Sequence, residues 1–235
     1  MIVVLGAPSI QPDPDTGRGE PAGLAARIAL GVAAAGASVQ LAGTVGDDPA
    51  GDEVLLALAR AGVRHDAVLR DPDRATPLAP TIVAAPHDAP VAAGALLAEE
   101  GVHPRSGNSR AAHRAKHEPV LDHNDVAMCL SYLREYGVVI VAEALDPTGR
   151  AAAAAAAAFT GAALVVIVPA GEAVVDPPPG LPAGATVLGG PVDDPDDDFA
   201  RLVARYAMAL ERGDDPGTAF DLALAGAGWE EVGRA

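Results

Sequence analysis

Four predominantly apolar runs punctuate the chain, at residues 2–5, 39–45, 138–142 and 164–168. Between them, apolar residues recur at helical spacing, as in Leu24, Ile28 and Val32. Strands that are apolar on both faces and alternate with helices form a parallel sheet covered on both sides. The pattern predicts an α/β fold with a mainly parallel sheet, and we expect ligands beyond the carboxyl ends of its strands.

Composition narrows the possible partners and the compartment. The 235-residue chain is 50% hydrophobic and carries a net charge of −16, which argues against nucleic acid and anionic membranes as partners. Cys129 is the single cysteine, so an internal disulfide framework is precluded and a reducing cytosol fits. The first residues predict a strand rather than a signal peptide. We therefore expect one cytoplasmic domain spanning residues 1–235.

Several elements follow from local signals. Turn chemistry predicts a loop over 11–20, and Asp47 and Asp48 offer N-caps for a helix. An apolar stripe predicts a helix from Asp125 that ends at Gly137. Residues 86–119 are irregular and contain the basic stretch 103–117, which is typical of an exposed, flexible loop. Further expected elements are strands near 67–69, 81–84 and 185–188, a helix over 148–160, and two final helices from Phe199 and from Pro216.

An acidic run at 192–199 precedes the first of these two final helices. Helix N-termini commonly bind phosphate through free N–H groups and the positive end of the dipole, whereas negative charge fills this approach. Three interpretations stay open for the run. It is a solvated helix cap, a Mg²⁺ or Ca²⁺ site, or the carrier of a catalytic base at Asp197.

Three segments together resemble one known family. The first is Ala22-Gly23-Leu24-Ala25-Ala26-Arg27, and the second is Gly43-Thr44-Val45-Gly46-Asp47-Asp48-Pro49-Ala50-Gly51. With the final helix pair, they resemble the ribokinase-like (PfkB) sugar kinases. The resemblance implies a ribokinase-like three-layer α/β sandwich. This chain is shorter than is typical of the family, so we expect the family's lid to be reduced or absent.

That family phosphorylates an alcohol of a sugar or nucleoside with ATP and Mg²⁺, using a Gly-Ala-Gly-Asp anion hole. The resemblance places Asp197 on the catalytic Asp, a general base. Asp194, Pro195 and Asp196 then replace Gly-Ala-Gly, so that Asp194 and Asp196 occupy the phosphate positions. Pro195 removes an N–H donor. A carboxylate ~4 Å from a phosphate costs roughly 4 kcal/mol at an effective dielectric near 20.

The resemblance also implies substrate-binding positions, which are Gln11, Gly23, Arg27, Gly46 and Asp47. Gln11 stands where the family has Asp, and Arg27 stands where it has Asn. Gly46-Asp47-Asp48 is alternatively a structural turn with an N-cap, and Arg27 is alternatively a surface residue or a ligand for an anion. No counterpart of the family's Asn-x-x-Glu magnesium motif is found, and no metal-ligand set is predicted.

The sequence thus predicts a carbohydrate kinase homologue that is weakly active or inactive. The alternatives are a non-catalytic module that binds a small anion or metabolite, and an active kinase with a metal-bridged phosphate site. ATP and Mg²⁺ are the expected cofactors if the protein is active, and none otherwise. The expected partners are a small molecule (a sugar, a nucleoside or a small anion) and a second copy of the chain.

Overall fold

The computed structural model describes residues 1–12, 19–79, 121–143, 145–170, 181–182 and 184–226. Eight strands and six helices lie in these ranges. The strands are β1 (Ile2–Leu5), β2 (Ser9–Pro12), β3 (Gly19–Ala22), β4 (Val39–Gly46), β5 (Arg64–Asp71), β6 (Val138–Val141), β7 (Ala163–Val168) and β8 (Thr186–Gly189). The helices are α1 (Leu24–Ala34), α2 (Pro49–Arg60), α3 (His123–Tyr132), α4 (Pro147–Thr160), α5 (Asp198–Glu211) and α6 (Pro216–Ala225).

Six strands form one parallel sheet in the order β5-β4-β1-β6-β7-β8. Its two faces are covered by different helices. Ile2 and Val4 of β1 join a core built with α1, α2, α5 and α6, whereas Val3 and Leu5 join a second core built with α3 and α4. The predicted α/β class is confirmed, because helices cover both faces of a mainly parallel sheet and form a three-layer sandwich.

The predicted loop over 11–20 is wrong at both of its ends. β2 and β3 pair antiparallel, with Ser9 opposite Ala22 and Gln11 opposite Glu20. A tertiary contact stabilises this hairpin, because Ile10 is buried and forms a parallel bridge with Leu78. Gln11 therefore lies on β2, outside the main sheet. The hairpin packs on α1 and α2.

Other predicted elements are confirmed with shifted boundaries. α4 begins at Pro147 after the N-cap Asp146, and Gly161 ends it at φ 72°, a left-handed conformation that favours glycine. α3 ends at Tyr132, not near Gly137, because Leu133 is extended. The expected strand at 81–84 and the irregular loop at 86–119 lie outside the described residues.

No helix in the described part of the chain combines the length and the apolar character needed to cross a bilayer.

Carboxylate caps begin α4 and α6. The backbone N–H of Gly149 donates to Asp146 at 2.6 Å, and this hydrogen bond holds the pKa of Asp146 below its usual value of 3.8. Hydrogen bonds from Thr218 likewise lower the pKa of Asp215. A carboxyl whose pKa is lower in the folded state stabilises the fold above its unfolded pKa. That contribution is lost as the pH falls through the folded pKa.

We therefore expect the free energy of unfolding to fall as the pH drops from about 4 toward about 2. The double variant Asp146→Asn/Asp215→Asn keeps capping side chains that do not titrate, so its stability should fall less over this range. Urea unfolding followed by circular dichroism at successive pH values measures the difference. If both proteins lost the same free energy of unfolding over this pH range, the contribution assigned to Asp146 and Asp215 would be contradicted.

Candidate functional site

The strand order reverses between β1 and β6. From β1 the chain continues to β4 on one side, whereas β6, β7 and β8 follow on the other. Ligands in open α/β folds bind in the crevice beyond the carboxyl ends of the strands at such a switch point. Here Gly6 and Ala7 follow β1, and Ala142 and Glu143 follow β6.

Glu143 is a carboxylate at this switch point. Its Oε2 accepts a hydrogen bond of 2.8 Å from the backbone N–H of Ala7. A Cβ atom on Gly6 would lie 2.7 Å from the Cβ of Ala25, so glycine allows α1 to approach β1 closely beside Glu143. The sequence predicts ligands beyond the carboxyl ends of the strands but does not single out this residue. The sequence feature that could have pointed to Glu143 is its position as a carboxylate two residues after a buried strand.

Asp194 fills the start of α5 with its own carboxylate. Its Oδ1 accepts from the backbone N–H of Phe199 at 3.0 Å, and its Oδ2 accepts from that of Ala200 at 2.9 Å. These are N–H groups of the first helical turn, which have no partner inside a helix. The capping interpretation of the acidic run therefore describes Asp194. A phosphate at this helix N-terminus would compete with that side chain.

Asp197 is held by Arg27. The Nη1 atom of Arg27 lies 2.7 Å from Asp197 Oδ1 and also donates to the backbone carbonyl of Asp194 at 2.7 Å. Asp197 has a φ of 58°, a left-handed conformation that is rare outside glycine and costs roughly 1 kcal/mol or more. Arg27 lies in the first turn of α1, so one cation connects α1 to the acidic run.

The hydrogen bonds of the Gly46-Asp47-Asp48 turn favour a structural role. Asp48 Oδ1 accepts from Gly51 N at 2.7 Å and from the Thr76 hydroxyl at 2.8 Å, and its Oδ2 accepts from Thr76 N at 2.8 Å. Burial raises the pKa of Asp48, but the hydrogen bonds from Thr76 and Gly51 outweigh it, so the pKa lies below its usual value. Asp47 is exposed and pairs with Arg70 at 3.1 Å.

Replacing Asp48 by alanine should lower the free energy of unfolding by about 3 kcal/mol, because a helix cap and the anchor of Thr76 are lost together. Asp47→Ala is the matched control and should cost about 0.5 kcal/mol or less, since it breaks only an exposed ion pair. Urea unfolding measures both variants. Equal losses in the two would refute a structural role specific to Asp48.

The structure brings only some of the predicted site residues together. Arg27, Asp194 and Asp197 form one cluster. Asp196 is exposed beside them. Gly23 is the N-cap position of α1, whereas Gln11 lies on the hairpin. Gly46 and Asp47 lie at the carboxyl end of β4, where Asp47 faces Arg70.

Within the described ranges, no group of three or more His, Cys, Asp or Glu side chains is arranged to hold a metal ion.

Comparison with known proteins finds likenesses in sequence over part of the chain and in fold. A family model described as pfkB family carbohydrate kinase matches residues 5–100. Among curated proteins, no sequence matches the chain. Ribokinase from Arabidopsis thaliana, solved with ribose and ATP, is 14% identical with a TM-score of 0.58, over 96% of this chain and 90% of that one.

Two further solved structures differ in the share of their length that aligns with this chain. Aminoimidazole riboside kinase from Salmonella enterica is 15% identical with a TM-score of 0.53, over 99% of this chain and 94% of that one. An uncharacterized sugar kinase from Pyrococcus horikoshii is 17% identical with a TM-score of 0.46, over 72% of this chain. The chain spans only 55% of that protein's length. The two likenesses with TM-scores above 0.5 show that the chain has a ribokinase-like fold.

Proposed function

On the ribokinase-like fold of the PfkB carbohydrate kinases, we propose that this chain binds a small polar metabolite of the sugar or nucleoside class and transfers phosphate from ATP weakly or not at all. The observation that carries the proposal is the Asp194 carboxylate, which sits on the backbone N–H groups of Phe199 and Ala200. The proposal includes a cytoplasmic location and association into a homodimer.

The first argument concerns the phosphate. The family resemblance implies that the phosphate of ATP binds at the N-terminus of α5, where the N–H groups of Phe199 and Ala200 already donate to Asp194. Pro195 has no N–H to offer. A phosphate ~4 Å from the Asp194 carboxylate meets roughly 4 kcal/mol of repulsion at an effective dielectric near 20, which corresponds to about three decades of affinity. The residues at this position do not fit a nucleotide phosphate.

The second argument concerns the base. A general base must reach the proton of the substrate hydroxyl with a free carboxylate oxygen. Asp197 Oδ1 instead faces the Arg27 guanidinium at 2.7 Å. Proton abstraction by that oxygen would require the ion pair to open. The same pair keeps Arg27 from binding a free anion until the carboxylate is displaced.

The third argument concerns the crevice beyond β1 and β6, where a metabolite would bind. The crevice beyond β1 and β6 presents the Glu143 carboxylate, which can accept hydrogen bonds from the hydroxyl groups of a polyol. Ala7 holds that carboxylate through its backbone N–H at 2.8 Å. A site with a positioned acceptor and no accessible phosphate cradle suits binding without phosphoryl transfer.

Calorimetry and thermal shift test the proposal together. We expect no saturable heat when MgATP is titrated into the protein. We also expect at least one member of a panel of pentoses, hexoses and nucleosides to raise the melting temperature. Glu143→Gln should reduce that shift, whereas Asp52→Asn, which removes a carboxylate on α2, should leave it unchanged. Absence of any shift across the panel would contradict metabolite binding.

An active kinase is the competing function. One observation favours it, because Asp197 remains at the N-cap position of α5 with 46% of its side chain exposed. Saturable MgATP binding, together with ADP release that requires a sugar and is lost in Asp197→Ala, would establish this function and refute the proposal.

A further inference from the structure

A groove of about 680 Å³ lies at the amino ends of β1, β4 and β5, at the opposite end of the sheet from the candidate site. Its lining includes Ser38, Arg64 and the segment 132–136 between α3 and β6. The volume falls within the range of roughly 300–1,000 Å³ that is usual for small-molecule sites. Nothing in the proposed function uses this end of the sheet.

Two guanidinium groups line the groove. Arg134 is exposed and has no ion-pair partner among the described residues. The Arg64 side chain is 58% exposed and forms a loose ion pair with Asp66, whose carboxylate lies 3.7 Å from Nε. Among the described residues of the lining, Glu135 is the acidic one. Two ion pairs at this end of the sheet, Arg64 with Asp66 and the Met1 ammonium with Glu211, balance their own charges, so Arg134 is the cation of the described lining that is left without an ion-pair partner.

Two tyrosine rings also line the groove. The Tyr132 side chain projects from the end of α3 and is 75% exposed. Tyr136 is only 6% exposed, and its hydroxyl donates to the carbonyl of Ala156 at 3.3 Å, so its ring is fixed. An exposed tyrosine ring stacks on flat ligands at a low cost in conformational entropy. Guanidinium groups bind carboxylates and phosphates through paired N–H donors.

We propose that this groove binds a small aromatic anion, in which a flat ring carries a carboxylate or a phosphate. The ring stacks on Tyr132, and the anionic group accepts hydrogen bonds from Arg134 and Arg64. Neither half of the ligand suffices alone, because exposed cations and a single exposed ring each bind weakly in water.

Calorimetry with 2-naphthoate tests this site. We expect saturable binding of 2-naphthoate, and binding weaker by about tenfold or more for 2-naphthamide, which keeps the ring, and for acetate, which keeps the charge. Arg134→Gln should weaken 2-naphthoate binding about tenfold, and Tyr132→Ala about fivefold. Both side chains are exposed, so circular dichroism and the melting temperature should match the parent protein.

Two control variants distinguish binding in this groove from nonspecific binding of the anion to exposed cations. Glu135→Gln removes the opposing carboxylate and should keep or strengthen binding. Arg201→Gln removes an exposed arginine near the start of α5, at the other end of the sheet, and should leave binding unchanged. The proposal is overturned by the absence of saturable binding, by affinities unchanged in both Arg134→Gln and Tyr132→Ala, or by an equal loss in Arg201→Gln.

Discussion

Replacing Asp194 by glycine, Pro195 by alanine and Asp196 by glycine is expected to raise the affinity for inorganic pyrophosphate by about a hundredfold. The wild-type carboxylate occupies two N–H donors of α5, and its repulsion of a phosphate is worth roughly 4 kcal/mol. Part of that gain is lost because the acidic residues nearby remain. Calorimetry with pyrophosphate at low ionic strength measures the change, and a gain of this size would show that residues 194–196 exclude the phosphate.

Two single substitutions sharpen the test, because each removes one negative charge from the run. Asp194→Asn weakens the cap on Phe199 and Ala200, whereas Asp196→Asn changes an exposed side chain. We expect a gain in pyrophosphate affinity of about tenfold for the first, and little change for the second. Equal gains would mean that net charge, and not occupation of the helix N-terminus, excludes the phosphate.

Loss of the cap also has a structural cost. Asp194→Gly should lower the free energy of unfolding by about 1 kcal/mol, which a folded domain of this size tolerates. The melting temperature of each variant therefore accompanies the binding measurement. A triple variant that is folded and still binds no pyrophosphate would contradict the proposed cause.

Tyr206→Ala is expected to lower the free energy of unfolding by about 4 kcal/mol. Tyr206 is 1% exposed in the core between α5 and the sheet. Its ring packs edge to face on Phe220 at 5.9 Å, and its hydroxyl shares a 2.8 Å hydrogen bond with Thr186 on β8. Removing the ring leaves a cavity and leaves the Thr186 hydroxyl without this partner. Urea unfolding measures the loss.

The conservative variants divide this effect into parts. Tyr206→Phe keeps the ring and should cost about 1 kcal/mol, the usual net value of one hydrogen bond. Thr186→Val, which removes the other hydroxyl, should cost a similar amount, and the double variant less than the sum. A loss below about 1 kcal/mol in Tyr206→Ala would contradict the packing described for α5 and α6.

Much of the fold could be predicted from the sequence, because buried parallel strands leave a strong local pattern. The runs at 2–5 and 138–142 correspond to β1 and β6, and the stripe from Phe199 corresponds to α5. The β2–β3 hairpin could not be predicted in this way. Its strands are short and rich in turn residues, and they depend on contacts with residues distant in sequence, such as Ile10 with Leu78.

The candidate site was less predictable, for a related reason. In a run of five carboxylates interrupted by Pro195, the pattern does not indicate which one accepts hydrogen bonds from the helix, and the structure shows that Asp194 does so. The contact between Arg27 and the acidic run joins residues 167 positions apart. Glu143 becomes a candidate site residue only through the strand order, which places it at the switch point.

The central position of β1 has a consequence for synthesis on the ribosome. β1 pairs with β4 on one edge and with β6 on the other, so its second edge stays open until residues 138–141 have been made. At ~5–20 residues per second, the interval between completion of β4 and completion of β6 is roughly 5–20 s. During that interval the nascent chain presents an unpaired apolar strand edge, the kind of surface that chaperones shield and that drives aggregation.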